Sequence, residues 1–375
     1  MVCIYEGNFW RNFGPLVDLR AIFEFRCGVS NLLEKIKRLY PREKFVFWVR
    51  DEIAVMVAER YPEALINVPV SAPVLFLYAG AILYEPVPVQ GAEEKFISHG
   101  KTIGFRLNRP RHRKGLPALK GLRVKEARAE VVLYPWDIVR LNFGELKREL
   151  APLMGKRKVF VARGGKIHSG AQVVTENGPV YLDQGAEIRP GSVVEGPCYI
   201  GAGTVIDGAL VRPGCSFGPQ CRIGGEVEEC VFQGYANKQH EGFLGHSFVG
   251  EWVNLGALTT NSDLKNNYRP VRVKISGRRF DTGMIKLGSV IGDHVKTAIG
   301  TFLPTGAVLG TFVNWFESGL APRELPNFSW GRKGRWRQKE LLDCAHRVME
   351  RRGVKMSPVY EKLLVRIYKR KRAKS

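Results

Sequence analysis

The 375-residue sequence predicts an α/β domain, then a parallel β-solenoid, then a helical tail. Three observations predict this order. Strands alternate with helices over residues 1–150, aliphatic residues recur every six positions from Leu182 onward, and residues 332–375 combine many basic residues with apolar residues at helical spacing. We therefore expect three regions, at residues 1–150, 157–331 and 332–375, in a chain long enough for two domains with separate cores.

The N-terminal region contains short apolar runs separated by helical patterns. Residues 2–5, 45–49 and 74–78 are predicted strands, and residues 51–60 are a predicted helix. Another helix should follow Ser30 or Asn31, because either side chain can cap a helix that runs to Ile36. Strands that alternate with helices are typical of a parallel sheet.

A six-residue repeat governs the middle of the chain. The first register is Leu182, Ile188, Val194, Ile200 and Ile206, and a second register is Val205, Val211, Phe217 and Ile223. Six residues suit one flat face of a β-solenoid coil, with the aliphatic side chain inside. Each coil buries little apolar area alone, so neighbouring coils must stack.

Two segments interrupt this repeat. Residues 233–244, QGYANKQHEGFL, are predicted to form an extruded loop that carries His240. Residues 262–286 form a second, polar and basic interruption. The period is expected to return after it with Ile285, Ile291, Thr297, Leu303 and Leu309.

The C-terminal region is predicted to hold two basic amphipathic helices. The first covers residues 339–352 and the second begins at Ser357-Pro358. Their apolar faces need cover, so we expect them to dock on the rest of the protein.

Charge and cysteine content narrow the classes of partner. A formal net charge of +22 favours acidic partners such as phosphorylated sugars, nucleotides, coenzyme A or nucleic acid, and the alternative is a solvated surface rich in lysine and arginine. The basic segment 106–128 lacks interleaved aromatic residues, so a nucleic-acid groove is not expected there. The seven cysteines form no C-x-x-C pair, so the sequence predicts no metal site and no disulfide framework.

The location of the protein is predicted from the same data. Reduced cysteines and the absence of a basic segment before an apolar run in residues 1–10 indicate a cytoplasmic protein. The most apolar stretch, residues 68–84, is too short for a membrane span and is broken by Pro69 and Pro73.

Three segments carry a family resemblance: NKQHEGFLG, VGEWVNLGALTTNSDLKNNY and KLGSVIGDHVKTAIGTFLPTGAVLG. They resemble left-handed β-helix acyltransferases, in particular the acetyltransferase half of bifunctional N-acetylglucosamine-1-phosphate uridyltransferase–glucosamine-1-phosphate acetyltransferases. The segment LPNFSWG is similar to one in shorter bacterial sugar nucleotidyltransferase-like proteins. The resemblance implies a left-handed parallel β-helix, a reduced nucleotidyltransferase-like N-terminal domain with a Rossmann-like sheet, a homotrimer, and acetyl-CoA as co-substrate.

The resemblance also implies roles for individual residues. His240 is the implied general base, since an imidazole titrates near neutrality and can take a proton from an attacking amine. The alternative is that the His240 imidazole has a structural role and stabilises the loop through hydrogen bonds. His246 and His294 are expected to be structural. The implied substrate-binding residues are Lys238, Phe243, Asn254 and Lys265, and the implied acetyl-CoA-binding residues are Asn261, Lys296 and Thr297.

The N-terminal region carries an L-R-x-x-x-E-x-R-x-G pattern that ends at Gly28. It resembles the start of the shorter sugar nucleotidyltransferase-like chains, but the glycine-rich phosphate loop of active nucleotidyltransferases is missing. Arg20 and Arg26 are candidate nucleotide-binding residues, because a guanidinium binds phosphate through two hydrogen bonds. They could equally pair with Glu24 and stabilise the domain.

Three functions remain open at this point. The first is acetyl transfer to an amino sugar phosphate or a nucleotide amino sugar. The second is a sugar-1-phosphate nucleotidyltransferase of the UDP-N-acetylglucosamine or dTDP-glucose pyrophosphorylase type, which would need Mg²⁺. The third is a non-catalytic scaffold that binds sugar nucleotides or nucleic acid through its basic surface.

Overall fold

The structure is a computed structural model that describes residues 1–112 and 119–372, with side chains described to Arg370. Part of the predicted basic loop at residues 106–128 therefore lies outside the described residues. The predicted fold class is confirmed: an α/β domain is followed by a parallel β-helix and a helical tail.

A seven-stranded sheet forms the N-terminal domain, in the order β10-β8-β9-β6-β1-β4-β5. Strand β1 pairs in parallel with both β4 and β6, as the alternating pattern predicts, whereas β9 runs antiparallel to β6 and to β8. The strands are β1 (Val2–Tyr5), β2 (Arg26–Cys27), β3 (Ser30–Asn31), β4 (Phe45–Trp48), β5 (Leu65–Ile66), β6 (Val74–Tyr78), β7 (Ala81–Leu83), β8 (Glu94–Ser98), β9 (Lys101–Leu107), β10 (Arg123–Glu126) and β11 (Ala129–Val131). Two 3-10 helices, Phe9–Val17 and Ile22–Glu24, follow β1.

Three α-helices complete this domain: α1 (Leu32–Leu39), α2 (Ala54–Arg60) and α3 (Pro135–Met154). Asn31 caps α1 as predicted: its side chain accepts a hydrogen bond from the Glu34 amide at 2.8 Å, and Glu34 accepts one from the Asn31 amide. Helix α3 starts with Pro135 and lies against the β-helix, where the Asn142 side chain donates to the Gly214 carbonyl at 2.8 Å.

The β-helix has three parallel faces. The first face contains Val159–Val161, Val180–Leu182, Cys198–Ile200, Cys215–Phe217, Val231–Phe232, Phe248–Val249, Ser289–Ile291, Ala307–Leu309 and Glu324–Leu325. The second contains Lys166–Ile167, Glu187–Ile188, Asn237–Lys238, Lys296–Thr297, Asn314–Trp315 and Ser329–Trp330, where Gly334–Arg335 adds an antiparallel strand, and the third contains Gln172–Val174, Val193–Glu195, Phe243–Gly245, Thr260–Asn261 and Phe302–Leu303. The strands Val205–Val211 and Arg222–Glu228 bend around the corner between the second and third faces.

Stacked side chains fill the interior. On the first face one inward column runs, in register, through Leu182, Ile200, Phe217, Phe232, Val249, Ile291, Leu309 and Leu325. Each of these side chains is buried. The four cysteines of this region, Cys198, Cys215, Cys221 and Cys230, are buried free thiols.

The prediction that residues 233–244 form an extruded loop is wrong. Asn237–Lys238 pairs with the preceding coil on the second face, and Phe243–Gly245 pairs with it on the third face. His240 therefore lies at an ordinary corner of a complete coil. Lys238 hid the repeat, because it occupies the inward position that Ile223 occupies in the preceding coil.

The second interruption, at residues 262–286, is confirmed. It contains a β-hairpin, Arg272–Ile275 paired with Arg278–Asp281. The hairpin packs on the N-terminal domain, where the Phe280 ring lies 5.5 Å from the Tyr134 ring and 5.9 Å from the Trp136 ring. Ile285 is exposed and lies outside the inward register, which resumes at Ile291.

The tail forms the two predicted helices, α4 (Gln338–Glu350) and α5 (Pro358–Arg372). Both dock as expected: Leu341, Leu364 and Tyr360 are buried, and the Tyr360 hydroxyl lies 2.8 Å from Nε2 of His294 in the β-helix. The tail, the N-terminal domain and one side of the β-helix share one continuous hydrophobic core. Within the described ranges, none of the helices has both the length and the apolar character that crossing a membrane requires.

Candidate active site

His240 lies at the corner between the second and third faces. Its side chain is exposed, and within the described part of the chain no hydrogen bond to its imidazole is found. The backbone of this corner is well held. The Leu258 amide of the next coil donates to the Glu241 carbonyl at 2.8 Å. The imidazole is therefore accessible to a substrate while its main chain is fixed.

Lys238 supports this corner from inside the coil. Its side chain points inward, in register with Ile223, and is 1% exposed. The Nζ atom donates to the His240 carbonyl at 2.5 Å and to the Gly224 carbonyl at 3.1 Å. Burial lowers the pKa of Lys238 to about 8. The predicted contact with substrate is thus replaced by a contact with the backbone that positions His240.

Phe243 and Lys265 lie beyond this corner. Phe243 is partly exposed on the third face, three residues after His240, and its amide donates to Thr260 Oγ1 at 3.3 Å. Lys265 is partly exposed and donates to the Pro270 carbonyl at 3.1 Å. Of these two residues, Phe243 is the nearer to His240 along the chain.

Asn254 and Lys296 lie together on the second face, in successive coils. They line a cavity of about 170 Å³ whose opposite wall is helix α4 and the residues after it. The Asn254 Oδ1 atom accepts a hydrogen bond from Asn237, and Arg352 donates to Asn237 at 2.5 Å. Burial lowers the pKa of Lys296, whose Nζ donates to the His294 carbonyl. The tail thus borders two of the predicted ligand-binding residues.

Asn261 and Thr297 point into the β-helix. Asn261 is 2% exposed and exchanges hydrogen bonds with the Gly245 backbone, at 2.8 Å and 3.0 Å. The Thr297 hydroxyl lies 2.8 Å from the Thr259 hydroxyl, also inside. Because the fold uses these polar atoms, we do not keep either residue as a contact to acetyl-CoA. The repeat already placed Thr297 in the inward register.

Arg20 joins the N-terminal domain to the β-helix. Its guanidinium is 1% exposed and lies 2.9 Å from Asp293 and 3.0 Å from Glu251. The pKa of Asp293 is nevertheless raised to about 6, because burial outweighs the attraction of Arg20. The predicted role in nucleotide binding is therefore replaced by a structural one.

Arg26 is also committed to the fold. It donates to the Val29 carbonyl, and its guanidinium lies 5.3 Å from the Tyr199 ring. Glu24 pairs with Arg60 at 2.8 Å rather than with Arg20 or Arg26. Arg20 and Arg26 therefore stabilise the fold, as the structural alternative proposed, but their partners are not Glu24.

One group of side chains could hold a metal ion. Ligand atoms of Glu228, Glu229 and His246 lie within 4.8 Å of one another. The same groups already have partners: His246 Nδ1 lies 2.7 Å from Asp263, and Glu228 lies 3.5 Å from Lys286. His246 is 5% exposed and is thus a buried structural histidine, as expected.

An apolar surface near the His240 corner was not predicted from the sequence. Leu258, Ile299, Phe302 and Leu320 are each at least half exposed, in three successive coils. Phe302 pairs with Leu320 in the coil above and with Thr260 in the coil below, two residues after Leu258. The four exposed residues Leu258, Ile299, Phe302 and Leu320 are here called the apolar strip. In the sequence, these apolar residues stand outside the inward positions of the repeat, and this could have predicted an exposed apolar surface.

Comparison with known proteins agrees with the two-part architecture. Residues 2–158 match the family described as "Sugar nucleotidyl transferase". The chain is 29% identical over 216 residues to the bifunctional sugar-1-phosphate nucleotidylyltransferase/acetyltransferase of Sulfurisphaera tokodaii, covering 54% of this chain and 51% of that protein. It is 34% identical over 175 residues to the bifunctional protein GlmU of Jannaschia sp., covering 42% of this chain and 37% of that protein.

Among solved structures, the chain aligns with AntD, an N-acyltransferase from Bacillus cereus in complex with dTDP and 3-hydroxybutyryl-CoA. The identity is 10%, the TM-score is 0.26, and the alignment covers 55% of this chain and 96% of that one. The chain spans about half the length, or less, of the curated relatives it matches. Residues 2–158 are similar to the sugar nucleotidyl transferase family, and the chain is similar in sequence to bifunctional nucleotidylyltransferase/acetyltransferases.

Proposed function

We propose that this protein is a cytoplasmic transferase that moves the acetyl group of acetyl-CoA to the amine of an amino sugar phosphate or a nucleotide amino sugar. The observation that carries the proposal is the exposed imidazole of His240 on a rigid corner of the β-helix. The bifunctional names of the relatives support the same reaction. We also propose that the chain is divided into three regions, at residues 1–150, 157–331 and 332–375.

The proposed chemistry uses His240 as a general base. The amine attacks the thioester carbonyl, His240 accepts the proton that the nitrogen loses, and the C–S bond breaks as the C–N bond becomes an amide. The proton then passes to the leaving thiolate. Lys238 positions the His240 main chain, and Phe243 contributes an apolar wall but no hydroxyl. Asn254, Lys265 and Lys296 remain the candidates for contacts to the sugar phosphate and the coenzyme.

The apolar strip supports the homotrimer that the family resemblance implies. Exposed apolar side chains that form a continuous surface usually mark an interaction site. This strip lies beside His240, so a second copy of the chain would meet the candidate base directly. We propose that the strip is the subunit interface and that the active site is completed by a neighbouring subunit.

Charge placed in the apolar strip should separate the subunits. We expect Leu258→Glu combined with Phe302→Glu to convert a trimer into a monomer, because carboxylates would be buried without partners. Light scattering coupled to gel filtration measures the mass. The matched control is Val55→Glu with Val124→Glu, two exposed apolar residues of the N-terminal domain. A wild-type protein that is monomeric at micromolar concentration would contradict the shared site.

Nucleotidyl transfer by the N-terminal domain is the second candidate, favoured by the family match over residues 2–158. Two observations weigh against it. The glycine-rich phosphate loop is absent, and Arg20 and Arg26 are occupied by structural partners. Mg²⁺ would belong to this reaction, and the one cluster of three potential ligands in the described ranges lies on the β-helix.

One assay separates the candidates. Purified protein is incubated with acetyl-CoA and glucosamine-1-phosphate, and free thiol is followed, while a parallel reaction with UTP, Mg²⁺ and N-acetylglucosamine-1-phosphate is followed for pyrophosphate. We expect thiol release above the rate without sugar, and little pyrophosphate. Pyrophosphate release without thiol release would favour the second candidate. If the protein binds a sugar nucleotide but catalyses neither reaction, a scaffold role is favoured.

A further inference from the structure

A large cleft lies where four parts of the chain meet, away from the His240 corner. It has a volume of about 870 Å³. It is lined by the 3-10 helix after β1, the segment after β4, the β-hairpin within residues 262–286, the last β-helix coils and helix α5. Its volume is typical of sites that bind small molecules. Segments that follow parallel strands at their carboxyl ends are also where open α/β sheets bind ligands.

Positive charge dominates this cleft. Eight lysine or arginine side chains line it, against three acidic side chains. Two of the acids are already paired, Glu52 with Arg370 and Glu324 with Lys274. The third, Asp18, accepts a hydrogen bond from Thr311 at 2.9 Å. The acidic groups are therefore occupied by contacts within the protein.

Five of these eight cations have no ion-pair partner within the described ranges. Arg50 pairs with Glu6 and Arg332 with Glu317. By contrast Arg278, Lys333 and Arg366 are exposed, and no ion pair to them is found within the described ranges. Positive groups that converge on a concave surface without counter-charges attract an anion more strongly than the same groups on a convex surface.

Arg335 supplies a preorganised group in the cleft. Its guanidinium lies 4.7 Å from the Tyr368 ring and 5.5 Å from the Phe328 ring, and it donates to the Tyr368 carbonyl at 2.8 Å. Its Nε is buried, and no hydrogen-bond partner for it is found in the described part of the chain. A guanidinium held against two aromatic rings is well suited to bind a planar or tetrahedral oxyanion through two hydrogen bonds.

We propose that this interdomain cleft binds a small molecule that carries two or more phosphate groups. Arg278, Lys333 and Arg366 would neutralise its charge, and Arg335 would fix its orientation. The tail would then have a binding role besides its docking, because α5 supplies Arg366 and the segment before α4 supplies Lys333 and Arg335. A small ligand is favoured over nucleic acid because the basic groups line one recess that several chain segments form.

Titration calorimetry at low salt with UDP and with inorganic pyrophosphate tests this site. We expect both to bind wild-type protein. Arg278→Glu, Lys333→Glu and Arg366→Glu together should weaken both by about tenfold or more, since each removes a charge-assisted contact. The control reverses three exposed basic residues elsewhere, Arg42, Lys101 and Lys125, for which no ion pair is found in the described ranges. It carries the same change in net charge.

The outcomes distinguish a specific phosphate-binding site from non-specific electrostatic attraction of anions to a basic protein. Loss of binding in the cleft variant alone, with an unchanged melting temperature, supports the proposal. Equal losses in both triple variants, or no binding of either probe to wild-type protein, would overturn it. A single-stranded oligonucleotide that binds more tightly than UDP and displaces it would also overturn it, in favour of nucleic acid. Acetyl transfer should persist in the cleft variant, so this test does not depend on the reaction proposed for His240.

Discussion

Replacing His240 with alanine should lower the turnover of acetyl transfer by about 10²–10⁴-fold, which is the usual contribution of a positioned general base. The stability of the protein should hardly change, because the side chain is exposed at a corner whose backbone is held by Lys238 and by the next coil. The rate of thiol release from acetyl-CoA, measured at saturating substrate, gives the effect on turnover.

Two other histidines of the β-helix make this prediction specific. His168→Ala removes a half-buried imidazole from an early coil, and its activity should equal that of wild-type protein. His246→Ala should instead lower the melting temperature, since that imidazole is buried beside Asp263. Full activity of His240→Ala would contradict the assignment of the base. An unfolded His240→Ala would mean that the imidazole pins the corner.

Replacing Arg20 with alanine should destabilise the protein by about 3–5 kcal/mol, the usual cost of removing one partner from a buried ion pair. The change leaves the Asp293 carboxylate buried without its guanidinium, although it still accepts a hydrogen bond from the Glu251 amide at 2.7 Å. Urea unfolding measures the difference. Arg42→Ala, which removes an exposed arginine, should change the free energy of unfolding by less than about 0.5 kcal/mol.

The destabilisation should also depend on pH. The pKa of Asp293 in the folded protein is raised to about 6, above the value near 4 expected for an unfolded chain. Removing Arg20 should raise it further, so the folded state then binds a proton more tightly than the unfolded state does. The variant should therefore recover stability as the pH falls from 8 to 5. A deficit that is constant over this range, or an Arg20→Ala variant as stable as wild type that has lost nucleotide binding, would contradict the structural role.

The sequence predicted those parts of the fold that follow from local pattern. The six-residue register from Leu182 to Ile206 predicts inward positions because each coil repeats the same short-range geometry. The same rule failed at residues 233–244, where Lys238 occupies an inward position that Ile223 occupies one coil earlier. A lysine can do so because its Nζ finds two backbone carbonyls inside the coil, a long-range match that no local pattern reports.

The candidate site was predicted only in part, for the same physical reason. His240 and Phe243 lie close in sequence, so their common corner follows from the chain itself. The partners of Arg20, by contrast, lie 231 and 273 positions away, at Glu251 and Asp293. Sequence spacing within the N-terminal motif therefore pointed to Glu24, which instead pairs with Arg60. The apolar strip and the interdomain cleft likewise depend on coils and domains that meet only after folding.

The most direct test of the proposed acetyl transfer follows the label from acetyl-CoA to the sugar. Wild-type protein is incubated with acetyl-CoA labelled with ¹³C in the acetyl group, together with glucosamine-1-phosphate or a nucleotide amino sugar, and the sugar is analysed by mass spectrometry. Our account predicts a labelled N-acetyl sugar that forms with wild-type protein and is nearly absent with His240→Ala. No labelled sugar from any amino sugar phosphate or nucleotide amino sugar, in a reaction where the protein is folded and binds acetyl-CoA, would contradict it.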